Sequence, residues 1–103
     1  YTGQLREGKG IHVLLDALRI AKPDIPGISL EVFGCGDADY ESLLKRTVRD
    51  HHLPVIFRGS LPREELLDRY PDYDAFVFPT LREEPFGIVM LEAMNSYLII
   101  TKV

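Results

Sequence analysis

Five short runs rich in branched and aromatic residues recur along this chain, and four are followed by segments of helical periodicity. The runs are YTGQL (1–5), LEVFG (30–34), VIFRG (55–59), DAFVF (74–78) and the closing LIIT. Between the first two, IHVLLDALRIAK places Ile11, Leu14, Leu15 and Leu18 at i, i+3, i+4 and i+7, one face of an amphipathic helix. DADYESLLKRTVRDHH puts Tyr40, Leu43, Leu44 and Val48 on one face behind an acidic first turn. PREELLDRY predicts a short helix opened by Pro62, and GIVMLEAMN predicts a last one. Strands apolar on both faces, alternating with helices, require a mainly parallel sheet covered on both sides. The expected fold is therefore α/β, a Rossmann-like three-layer sandwich.

At 103 residues the chain is one domain, read here as residues 1–103 of a longer protein. It opens at Tyr1 directly in a strand and closes in another with nothing after it. Half of a two-domain site is thus expected to lie elsewhere. A net charge of −4 offers no footprint for nucleic acid or an anionic membrane. No apolar run reaches the roughly 20 residues of a membrane span. The lone Cys35 excludes an internal disulfide and suits a reducing compartment, so a cytoplasmic location is expected.

In parallel sheets ligands sit beyond the carboxyl ends of the strands. That selects four loops: GQLREGKG (3–10), GCGDAD (34–39), RGSLP (58–62) and PTLREEPFG (79–87). In the last helix Glu92 shares a stripe with Ile88, Leu91 and Asn95, an expensive place for a carboxylate without a partner. It either bonds to nearby backbone or arginine, faces water, or meets a ligand. Gly87 and the amides of 87–89 at that helix start suit an anion such as phosphate, with Glu84 flanking the same cavity. Two carboxylates there suit sugar hydroxyls better than a metal.

Lys9, between Gly8 and Gly10, is either a solvated loop lysine or a charge on that phosphate; the Walker A spacing is absent. Gly34 and Gly36 lack the third glycine of a dinucleotide fingerprint, because position 39 is aspartate. They make room for a ligand or for neighbouring backbone. Asp37 and Asp39 spell D-x-D, a metal-holding pattern in some nucleotide-sugar enzymes, but helix capping is the preferred reading. His12, His51 and His52 read as surface or helix-end residues, and Cys35 has no evident base partner.

Four blocks in register resemble the donor-binding half of GT-B glycosyltransferases of the retaining group 1 (family 4) class. They are YTGQLREGKGIHVLLDAL, LEVFGCGDADYESL, VIFRGSLPREELLDRY and YDAFVFPTLREEPFGIVMLEAM, the last carrying an E-x7-E motif from Glu84 to Glu92. The resemblance implies that a nucleoside-diphosphate sugar is the donor and that no metal or bound cofactor is required. It implies that Glu84 approaches the donor sugar, Glu92 holds the ribose, and the backbone of Phe86, Gly87 and Ile88 cradles the diphosphate. Gly3, Gln4 and Lys9 would form the phosphate loop, and Gly34 a turn near the base.

Lys9 and Glu84 would then serve the transfer itself. The acceptor (a saccharide, lipid or small molecule) would bind an absent N-terminal domain. The chain departs from the family in having Gln4 where arginine is usual, and Tyr97 and Ile99 where glycine and proline are expected. A non-catalytic nucleotide- or sugar-binding module and a metal enzyme using Asp37 and Asp39 are the alternative readings.

Overall fold

The computed structural model describes residues 1–81 and the strand at 99–102. Helix α1 (Ile11–Ala21) buries Ile11, Leu14, Leu15 and Leu18, the stripe its periodicity predicts. It ends before Pro23, which cannot continue a helix. Strand β1 (Leu30–Phe33) leads to α2 (Ala38–Asp50), and β2 (Val55–Gly59) to the short α3 (Arg63–Arg69). A 3₁₀ turn over Tyr70–Asp72 precedes β3 (Ala75–Phe78), and β4 (Ile99–Lys102) is the last strand described.

Among the described residues all strand pairing is parallel: β1 pairs β2 from Leu30↔Val55 to Val32↔Phe57, and β3 pairs β4 from Ala75↔Ile99 to Phe78↔Lys102. The described strands form two parallel pairs, and a parallel pair needs a crossover connection, which α2 supplies between β1 and β2.

The first segment departs from the continuous strand expected. It runs alongside β1 through two isolated parallel bridges, Thr2↔Phe33 and Leu5↔Gly36. Phe33 N donates to Tyr1 O at 2.9 Å, Gly3 N to Phe33 O at 3.0 Å, and Leu5 N to Cys35 O at 3.1 Å. The ladder is interrupted at Gly34, whose φ is 131° and whose amide turns to Gly59 O at 2.8 Å. Gly34 thus ties its strand to β2 between the two bridges to the first segment.

Tyr1, Leu5, the buried stripe of α1, Val32, Tyr40, Leu44 and Leu53 form the main core. Tyr70 and Phe76 form a second, smaller cluster with Leu66, Leu67, Tyr73 and Phe78 packed on it. Phe33 and Tyr73 meet edge to face at 6.2 Å. The Tyr73 hydroxyl also donates to Glu31, which accepts from Arg58 Nε at 2.6 Å.

Two burial expectations are corrected. Leu43 is 46% exposed, because the α2 stripe facing the core centres on Tyr40 and Leu44 and turns Leu43 to its edge. Ile56 is 50% exposed, so β2 is not apolar-covered on both faces: alternation sends Ile56 away from the side on which Val55 and Phe57 pack.

Candidate functional site

Lys9 closes a 3₁₀ turn, Glu7–Lys9, between the first segment and α1. Its amide donates to Arg6 O at 2.9 Å, and that of Gly10 to Glu7 O at 3.1 Å. Gly10 is left-handed, at φ 75°, and a Cβ there would lie 2.0 Å from Pro79 O. Beyond it, Leu81 N donates to Gly8 O at 3.0 Å. The lysine loop is therefore fastened, backbone to backbone, to the start of the 79–87 loop. Two loops chosen from sequence are brought together here.

The GCG turn is explained by chain crossing. A Cβ on Gly34 would sit 1.8 Å from Gly3 O, and one on Gly36 2.5 Å from Leu5 O. Of the two readings left open for these glycines, room for neighbouring backbone is the one observed. Gly3 and Gly34 are thus in contact. Gln4 is exposed beside them, its carbonyl accepting from the Tyr1 hydroxyl at 2.7 Å.

Asp37 caps α2: its Oδ1 accepts from Tyr40 N at 3.0 Å. Asp39 and Glu41 follow in the first turn, complementing the positive end of the helix. Capping accounts for Asp37. Among the described residues no group of three or more histidine, cysteine or carboxylate side chains is arranged to hold a metal.

A cleft of about 800 Å³ opens at the carboxyl ends of the first segment and β1. Arg6, Glu7 and Gly8 line one side, and Gly36, Asp37, Asp39, Tyr40 and Leu43 the other. Sequence reasoning did not select Arg6, Tyr40 or Leu43 for a site. Parity could have found Arg6, which lies two residues beyond Gln4 with an extended backbone at φ −131° and ψ 151°. Gln4 and Arg6 therefore leave the chain on one side, and Leu5 between them enters the core at 1% exposure.

His12 lies in the first turn of α1, a helix-end position as expected, and is engaged there by α2. Its backbone N–H donates to the Tyr40 hydroxyl at 3.0 Å, and its Nδ1 lies 2.6 Å from the same oxygen. The hydroxyl accepts the amide proton and shares a second hydrogen bond with Nδ1. Burial raises the Tyr40 phenol above its usual range, partly offset by the His12 amide that would favour a phenolate. His51 and His52 do lie at the end of α2, where Lys22 Nζ donates to His52 O at 3.0 Å. Cys35 is exposed and accepts from Ser60 Oγ at 3.1 Å.

Glu84, Phe86, Gly87, Ile88 and Glu92, with the helix GIVMLEAMN, lie outside the described residues.

The profile of the family described as Glycosyl transferases group 1 matches residues 1–100. Glycogen synthase of Mycobacterium tuberculosis is 35% identical over 95 residues, covering 90% of this chain and 22% of that protein. The pneumococcal O-GlcNAc transferase GtfA, solved with UDP and GlcNAc, superposes at a TM-score of 0.87 and 24% identity, over 98% of this chain and 19% of that one. HepE of Anabaena, solved with UDP, superposes at 0.78 with 26% identity, over 96% of this chain and 28% of that one. The chain spans only 16–24% of the length of the curated relatives it matches. The fold is the α/β, Rossmann-like one of these glycosyltransferase neighbours. This chain belongs to the group 1 glycosyl transferase family.

Proposed function

We propose that the chain is the donor-binding unit of a retaining, family 4 GT-B glycosyltransferase, and that it binds a nucleoside-diphosphate sugar. The observation that carries this is the cleft at the carboxyl ends of the first segment and β1, in a chain of glycosyl transferase ancestry. Two structural neighbours solved with UDP support the ligand class.

Departure of the diphosphate builds negative charge, which fixed donors must stabilise. Lys9 supplies a point charge and the backbone of Phe86, Gly87 and Ile88 supplies amides. Arg6 lines the cleft and offers the positive charge that Gln4 lacks. Gly3 and Gly34 allow the close chain crossing on which the phosphate loop rests. Glu84 orients the sugar and Glu92 the ribose hydroxyls, both accepting hydrogen bonds. The acceptor, a saccharide, lipid or small molecule, docks on a further domain, and residues 1–103 alone transfer little or nothing. The donor binds without a metal, Asp37 being engaged as a helix cap.

Titration of the full-length protein with UDP-, GDP- and ADP-sugars, with and without magnesium, tests this. Binding to one donor, insensitive to chelator and lost in Glu92→Ala, is expected. Binding abolished by chelator and by Asp37→Ala would instead establish a metal site. Absence of binding to every donor would mark a module that kept the fold and lost transfer.

A further inference from the structure

Tyr40 stands on α2, yet its hydroxyl reaches the first turn of α1 and takes two of its groups at once. These are the His12 amide, at 3.0 Å, and the His12 Nδ1, at 2.6 Å. The rings meet edge to face at 5.7 Å, and Tyr40 is 9% exposed, so the link is held by packing as well as by hydrogen bonds. From the α2 side the same residue is fixed a second time, through its amide on Asp37 Oδ1. The Asp37 amide in turn donates to Leu5 O at 3.1 Å. A closed circuit results: Leu5, Asp37, Tyr40, His12, and back along the chain through Gly10 and Lys9.

Glycine on both sides of Lys9 gives this turn little stiffness of its own. Gly10 offers α1 no side-chain cap. An amide in the first turn of α1 would otherwise need water or a ligand, and the Tyr40 hydroxyl on α2 satisfies it. Tyr40 also lines that cleft, as do Arg6, Glu7 and Gly8.

We infer that Tyr40 is a positioning residue for diphosphate binding: by capping α1 from α2 it holds the Lys9 turn in place for the phosphates. This rests on the donor-binding reading above. The tyrosine acts through the lysine loop and leaves the reacting atoms to other groups. Tyr40→Phe keeps the ring and deletes both hydrogen bonds.

The test is a double-mutant cycle on the full-length protein, reading dissociation constants for UDP, GDP and ADP by calorimetry. Lys9→Ala weakens whichever nucleotide the unmodified protein binds. Tyr40→Phe weakens it about threefold to tenfold, the range expected when one hydrogen-bonded support is lost. In the Lys9→Ala background, Tyr40→Phe adds no more than about twofold, because the tyrosine acts through the lysine. A purely structural tyrosine would lower Tm and leave the dissociation constant unchanged, or would weaken binding equally in both backgrounds. Either outcome overturns the inference.

Should Tyr40→Phe not fold, His12→Ala carries the cycle. It keeps the hydrogen bond from the residue-12 amide and removes Nδ1 together with the edge-to-face ring contact, so the same direction is expected, again absent without Lys9. No effect of His12→Ala in that case overturns the inference. If the unmodified protein binds none of the nucleotides, the donor-binding reading itself fails and takes this inference with it. If it binds and only the Tyr40 arm is silent, the donor-binding reading survives alone.

Discussion

Gly34 and Tyr40 show how differently single residues announce their roles. Gly34 combines a left-handed φ of 131° with a carbonyl oxygen 1.8 Å from where a Cβ would be. Gly34→Ala should therefore destabilise the fold by roughly 3 kcal/mol or more, read as a lower urea midpoint. The glycine was visible in sequence; the carbonyl of Gly3 behind it was not. Tyr40 looked like an ordinary core position of an amphipathic helix, and only the approach of α1 shows that its hydroxyl is used.

Its raised phenol pKa gives a pH dependence of definite sign. Below pH 10, the ordinary phenol value, folded and unfolded chains both hold the proton and the stabilisation is complete. Above it the unfolded chain ionises first, so stability falls as pH climbs toward the folded-state pKa. Denaturation midpoints followed from pH 8 upward should show this decline, and Tyr40→Phe should flatten it.

At the scale of elements, the two helices joined by the Tyr40 hydroxyl are stabilised by different physics. Helix α1 rests on burial: Leu15 is fully buried, and Leu15→Ala should cost about 2–5 kcal/mol. Helix α2 adds a side-chain cap, so Asp37→Ala should cost about 1 kcal/mol in chemical denaturation. Its ion pair from Glu41 to Lys45, at 3.1 Å and half exposed on the lysine side, adds a few tenths at most.

Leu43 and Leu44 separate packing from site. Leu44→Ala should destabilise by about 2–5 kcal/mol, whereas Leu43→Ala, at the cleft edge, should change stability by under about 1 kcal/mol. Periodicity assigned both leucines to the core. A helical stripe is wide enough to include a flanking residue, and which flank is covered depends on the neighbouring element.

Across the whole molecule, Glu31 connects structure that is distant in sequence. From β1 its carboxylate accepts from Arg58 on β2 and from the Tyr73 hydroxyl ahead of β3. Glu31→Ala should lower stability by about 2 kcal/mol in denaturant titrations, since a charged acceptor leaves two donors behind. Ligand linkage belongs to this scale too. A nucleoside diphosphate that binds only the folded state should raise Tm progressively, with about 2.7 kcal/mol gained at a hundred times its dissociation constant.

The alternation of short apolar runs with helical stripes determined the order of the elements from α1 to β3 and their parallel pairing, because those periodicities are local and the connections leave few alternatives. The same pattern located the loops that meet at the carboxyl ends. It also made the family legible, through blocks spanning nearly the whole chain. Tertiary structure alone decided which atoms those loops use. Gly34 yields to Gly3, Gly8 accepts from Leu81, and the Tyr40 hydroxyl crosses from α2 to cap α1. Each contact joins residues far apart in the chain through a backbone or hydroxyl group, and such groups leave no periodic trace in the sequence.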